Sequence, residues 1–293
     1  MLGKLIKYEF NATSRFFAIS YPALLVTAIL SKIFAAGGRV EALRDNFIYS
    51  IVTMLLAFLY VGIIFAVLAG TTIFMIQRFY KNMLGDEGYL MHTLPAEPWQ
   101  HVTSKILVSA VWMFVSFVVT ALSICILVYG EIPEFALEEI LRGIREGFSA
   151  TGMNPTGFAI WISVTSFISL FTFMLPFYAA ISMGQLWRNH RILGSVLAYL
   201  GVYTIIQIIS SIGLQIIALS WGRNGFPAIE YSAQIQDDAL IFGSSAINNM
   251  FAAIPMERLF DSIMLYSLIS SLIISVGLFF LTSFMLKRKL DLE

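Results

Sequence analysis

Few residues of this sequence combine the type and the spacing that chemistry needs. The three histidines, His92, His101 and His190, stand apart in expected cytoplasmic turns, and no His-Glu-x-x-His or other metal-ligand spacing occurs. The single cysteine, Cys125, sits inside an apolar run and reads as a small core residue; alone it allows neither an internal disulfide nor a cysteine metal site. A Gly-x-Ser-x-Gly elbow is absent. So is the Gly-x4-Gly-Lys-Ser/Thr loop, so ATP hydrolysis by that route would fall to another polypeptide. The chain is read as a non-enzyme without cofactor or metal.

Two features do ask for a partner. The first is Glu9, between Tyr8 and Phe10 in a segment whose Leu2, Leu5, Ile6 and Phe10 share one helical face and whose Lys4, Lys7, Asn11 and Arg15 share the other. Glu9 falls within the apolar arc. Either its carboxylate reaches lipid headgroups, or it is a buried partner for a cytoplasmic loop. The second is the short, mostly apolar stretch 89–94, which contains Tyr89, Leu90, Met91, Thr93 and Leu94 and is followed by Pro95. No membrane span requires it.

The elements that must position these residues are membrane helices. Hydrophobic residues make up 58% of the 293 and charged ones 12%, against about 45–50% and about 25% in soluble domains, so a bilayer must solvate much of the surface. A helical span needs about 20 apolar residues. Six stretches qualify, at 16–36, 47–77, 106–129, 158–185, 192–219 and 263–286. None holds Asp, Glu, Arg or His, and Lys32 can snorkel. Proton relays and intramembrane catalysis both need such groups at depth. The expected fold is an all-α membrane protein of six transmembrane helices in a single domain, 1–293, with an N-terminal helix, 1–15, lying in the interface plane. That helix is read as mature chain, because the run after it is long enough to span and no Ala-x-Ala site closes it.

Charge sets the expected orientation. With the N-terminus inside, 11 of the 18 Lys and Arg but only 6 of the 18 Asp and Glu fall on the cytoplasmic side, giving +5 inside and −5 outside. Both termini are then cytoplasmic, with outside segments at 130–157 and 220–262. Residues 135–148 repeat the amphipathic pattern, with Leu137, Ile140, Leu141, Ile144 and Phe148 on one face, and read as a second surface helix. A formal net charge of zero argues against nucleic acid as a partner, since phosphate binding needs a basic patch.

The largest cytoplasmic segment is 78–105. Residues 78–84 can prolong the second span, Gly85 is a plausible stop, 85–88 a turn, and Pro98 falls in the first turn of the third helix. Between them, 89–94 either buries its aromatic residue in headgroups or presents Tyr89, Leu90, Met91 and Leu94 to a cytosolic protein.

The segment 85–95, GDEGYLMHTLP, resembles the cytoplasmic loop of permeases of the type-2 ABC exporter family of Gram-positive bacteria. Gly88, Tyr89, Leu90, Thr93, Leu94, Pro95 and Lys105 match that pattern, and the opening Lys7-Tyr8-Glu9-Phe10 resembles the family's N-terminal helix. The chain departs from it at Ala96-Glu97-Pro98, where the family has Ser or Thr and basic residues. The resemblance implies a permease subunit in the bacterial plasma membrane, paired with a second permease copy or a paralogue and with cytosolic ATPase subunits. It makes the loop, through Tyr89, Leu90, Met91, Thr93, Leu94 and Pro95, the element that couples ATP use to transport. Apolar, uncharged spans suit an amphipathic cargo such as a peptide, lipid or hydrophobic drug. The alternatives are a membrane-embedded immunity or scaffold protein and a passive channel, for which Ser163, Ser166, Ser169 and Thr172 would give the fourth span a polar stripe.

Overall fold

The computed structural model describes residues 2–38, 40, 46–85, 88, 97–130, 134–151, 154–187, 190–224 and 256–288. Every regular element among them is an α-helix: α1 (Leu2–Gly37), α2 (Phe47–Leu84), α3 (Pro98–Val128), α4 (Glu134–Thr151), α5 (Pro155–Thr172), α6 (Leu175–Gly184), α7 (Arg191–Asn224) and α8 (Met256–Arg288). Six candidate spans result, with α5 and α6 forming one of 30 residues. The outward surface is apolar, as in Phe65 at 70% and Phe280 at 66% exposure. A bilayer solvates such a surface and water does not.

Local chemistry explains where the helices begin and end. The Asn46 side chain accepts hydrogen bonds from the backbone of Ile48 and Tyr49 and so caps α2, and Asn154 does the same for α5 through Thr156. Pro98 and Pro155 sit in the first turns of their helices, where no backbone donor is missed. Gly85 ends α2 as expected, in an extended conformation. A Cβ there would stand 2.9 Å from the Lys81 carbonyl oxygen, so close approach is what requires glycine. The Gly88 amide donates to the Gly85 carbonyl at 2.8 Å, closing the expected turn.

Several expectations need correction. The first 15 residues do not form a separate helix: α1 runs unbroken through Arg15. No Gly or Pro interrupts the junction, and one buried stripe of Glu9, Thr13, Phe17, Leu24, Ala28 and Ser31 continues along the whole helix. Thirty-six residues rise about 54 Å, well beyond a hydrocarbon core of about 30 Å. The fourth span, read as one helix, is broken by a turn at Phe173 and Met174, because Pro176 follows and disfavours helical continuity before it. Cys125 is exposed on α3 instead of buried. His101 lies within α3 and is 1% exposed, not in a turn, because α3 already starts at Pro98. The hydroxyls of Ser163, Ser169 and Thr172 on α5 bond back to their own helix, to the carbonyls of Ala159, Ser166 and Ser169.

The helices pack as two groups. One is α1 with α2 and α3; the other is α6 with α7 and α8; α3 joins them through α5 and α8, and α2 through α6. A single aromatic and methionine core, with Phe17, Met75, Phe79, Met83, Trp112 and Tyr178, fills the junction. The phenol of Tyr178 stacks on Phe79 at 4.1 Å. Helix α4 is amphipathic as read, with Ile140, Leu141 and Ile144 exposed, and Phe148 touches Phe158 of α5.

Candidate functional site

Antiparallel packing brings the start of α1, the end of α2 and the start of α3 to one end of the bundle, called here the basal end. The buried stripe of α1 places Glu9 between the other two helices, 6% exposed. Its Oε2 accepts from Arg78 Nε at 2.6 Å and its Oε1 from Lys105 Nζ at 2.6 Å. Asn82 Nδ2 donates to Oε1 at 3.4 Å. Lys105 is 5% exposed and Asn82 8%, while the Arg78 side chain keeps 23%.

Desolvating these charges is costly unless each is paired, and the geometry pairs them closely. Arg78 and Asn82 lie one turn apart on α2, and Lys105 lies on the facing side of α3. One carboxylate therefore ties three helices, and the two basic partners are the first and last residues of the segment 78–105. Of the alternatives for Glu9, the geometry selects the buried partner over the headgroup-facing carboxylate.

Polar contacts continue upward from this knot. Phe10 stacks on Trp112 at 4.6 Å, and Phe17 stacks on the same indole at 4.0 Å. Trp112 Nε1 donates to Thr13 Oγ1 at 2.8 Å. Ser116 meets the Tyr21 hydroxyl at 2.9 Å and the Thr71 hydroxyl at 2.9 Å, and Ser123 meets Tyr60 at 3.0 Å. Buried hydroxyls of this kind bind membrane helices together where apolar burial gives no advantage. They hold the α1–α2–α3 group as a unit above the Glu9 knot.

Of the residues singled out from sequence, the structure brings Glu9 and Phe10 onto the α2–α3 surface and leaves Tyr8 71% exposed. The stretch holding Tyr89, Leu90, Met91, Thr93, Leu94 and Pro95 lies outside the described residues. The sequence reading took Arg78 as one of the cytoplasmic cations and Lys105 as a residue matching the family pattern, and missed both as the partners of Glu9. The available signal was an acid in an apolar arc together with cations at both ends of one loop.

A second feature was missed on α7. Thr204, Gln207, Ser211 and Gln215 recur along one helical face, and all four are exposed. Polar side chains within a span more often bond to neighbouring helices than face lipid. The structure instead turns Gln207 and Gln215 outward, into a surface that otherwise carries Leu200 and Ile208.

No family model matches the sequence, and searches of curated proteins and of solved structures find no match. What the fold and site define is an all-α membrane protein with six candidate membrane-spanning helices.

Proposed function

We propose that this protein is the permease subunit of an ATP-driven ABC exporter in a bacterial plasma membrane, with both termini cytoplasmic. It would move an amphipathic cargo such as a peptide, lipid or hydrophobic drug out of the cell. The observation that carries this reading is the Glu9 knot. A loop that passes force from a cytosolic motor into a membrane must be fixed rigidly to the helices it moves. Arg78 and Lys105, at the two ends of the segment 78–105, are both held by one carboxylate of a third helix. Displacing the stretch 89–94 would pull on α1, α2 and α3 together.

The exposed polar face of α7 supports the pairing of two permeases. Lipid cannot satisfy the two donors and the carbonyl of a glutamine amide. A second copy or paralogue across that face would cover Gln207 and Gln215, and a polar path between the two permeases would use them. The same face would serve a passive channel, and one experiment separates the readings. The protein is purified from its native membrane in mild detergent. A cytosolic ATPase retained in stoichiometric amount supports the permease; recovery without any ATPase contradicts it and favours a scaffold or channel.

A further inference from the structure

A further feature lies among the spans, separate from the Glu9 knot and independent of the transport reading. Helices α2 and α5 both pack on α3 and leave a groove of about 340 Å³ between them. Thr71 and Ser116, each 1% exposed, are its deepest lining residues. They lie seven residues from Arg78 on α2 and eleven from Lys105 on α3, so the groove stands about 10–17 Å from the knot, at the level of lipid tails. Met113 and Leu170 give it apolar walls. Phe117 and Phe173, 53% and 45% exposed, form its lips.

The hydroxyls of this groove have a fixed polarity. A hydroxyl has one proton to donate and two lone pairs with which to accept. Thr71 donates to the Val67 carbonyl at 2.7 Å and shares Ser116 with Tyr21, so the two deep hydroxyls are bonded among the helices. Thr72 on α2 donates to the Leu68 carbonyl at 3.2 Å, and Ser169 on α5 donates to the Ser166 carbonyl at 2.7 Å. A carbonyl only accepts, so both protons are committed within their own helices. What Thr72 and Ser169 offer to a molecule in the groove is an accepting oxygen on each wall. None of the lining residues is charged.

We infer that this groove binds an uncharged, hydrophobic molecule carrying one O–H or N–H donor, of the class of hydrophobic alcohols and phenols. Its volume is about twice that of an apolar cavity of ~150 Å³, which holds one benzene, so two aromatic rings or a chain of similar bulk fill it. A charged group would find no partner there, and an ether or ester oxygen would meet only other acceptors. A lipid tail would fill the space but leave the oxygens of Thr72 and Ser169 unpaired, and an unpaired polar atom is costly away from water. A single donor on an apolar body satisfies the walls and the oxygens together.

Equilibrium dialysis of the full chain in mild detergent, against protein-free micelles of the same detergent, provides the test. Three probes of similar size are compared: para-phenylphenol, which has a donor; para-methoxybiphenyl, which has only an acceptor; and biphenyl, which has neither. The expected result is one saturable site for para-phenylphenol, with para-methoxybiphenyl bound about tenfold more weakly, the factor that one well-made hydrogen bond gives. Thr72→Val combined with Ser169→Ala removes both acceptors from the walls. It should weaken para-phenylphenol by about the same factor and leave biphenyl unchanged. Ala69→Trp, at an exposed lining position, should close the groove to all three probes. Equal affinity of wild-type protein for the three probes overturns the inference and assigns the groove to lipid tails. So does the lack of any saturable site on wild-type protein, and so does para-phenylphenol binding that survives Ala69→Trp or the double substitution.

Discussion

Glu9 and Lys105 are 96 residues apart in sequence, and their side chains meet at 2.6 Å in a site where each is almost wholly buried. Removing one member of a buried ion pair leaves the other charge without compensation, at a cost of about 3–5 kcal/mol. Glu9→Leu should lower the unfolding temperature of the detergent-purified protein markedly. Replacing Lys105 as well removes the more deeply buried of the two cations that Glu9 held, so Glu9→Leu with Lys105→Leu should be more stable than Glu9→Leu alone. Thermal unfolding of the two variants checks the sign. A double variant less stable than the single one would show that Glu9 and Lys105 are not coupled as the geometry states.

The contact of α6 with α7 depends on glycine at one point. A Cβ on Gly184 would stand 2.5 Å from the backbone nitrogen of Ser195 and 2.6 Å from its Cα. Gly184→Ala must push the helices apart and should cost about 1–3 kcal/mol, the usual range for overpacking. Gly201 on α7 has nothing within 4 Å of such a Cβ. Gly201→Ala should be neutral or add about 0.5–1 kcal/mol, since alanine gives up less freedom in a helix. Unfolded side by side, Gly184→Ala should lose stability and Gly201→Ala should not; a similar loss from both would contradict the α6–α7 packing.

Ser116 joins α1, α2 and α3 through Tyr21 and Thr71. Ser116→Ala removes both side-chain contacts, each worth about 0.6 kcal/mol on average and at most about 1.7 kcal/mol between membrane helices. Ser163→Ala on α5 removes only a bond to its own helix, to the Ala159 carbonyl, and should cost less. A chemical unfolding series on both variants gives the comparison.

How much of this was legible in the sequence depends on the range of the interaction that decides it. The six spans follow from runs without acids, and α2 and α3 begin and end where Asn46, Gly85 and Pro98 direct. The continuity of α1 was harder to read, because polarity changes at Arg15 while the buried face does not. The break before Pro176 was in plain view but looked like part of one apolar run. The partners of Glu9 lie 69 and 96 residues away, and no local pattern selects Arg78 and Lys105 from the other cations. The outward face of α7 needed the fold as well: periodicity aligns Gln207 with Gln215, but only packing says which way that face looks.

Orientation rests on the distribution of Lys and Arg, and labelling tests it. Single cysteines at Glu139 and Asp237, in a Cys125→Ala background, should react with an impermeant thiol reagent on intact cells. The background change matters, because Cys125 is itself exposed. A cysteine at Asp86 should react only after the membrane is opened. Labelling at Asp86 but not at Glu139 and Asp237 on intact cells would invert the topology and place the 78–105 segment away from ATP.

The coupling role of the stretch 89–94 is the central claim, and its most direct test compares wild-type protein with Tyr89→Ala combined with Leu90→Ala. Truncating a good interface anchor typically costs about 2 kcal/mol or more, or roughly thirtyfold in affinity. The spans are untouched, so insertion should be normal. At matched membrane expression, the doubly substituted protein should lose the co-purifying ATPase, or retain it with hydrolysis no longer tied to transport. Equal recovery of the ATPase together with equal transport would contradict the account.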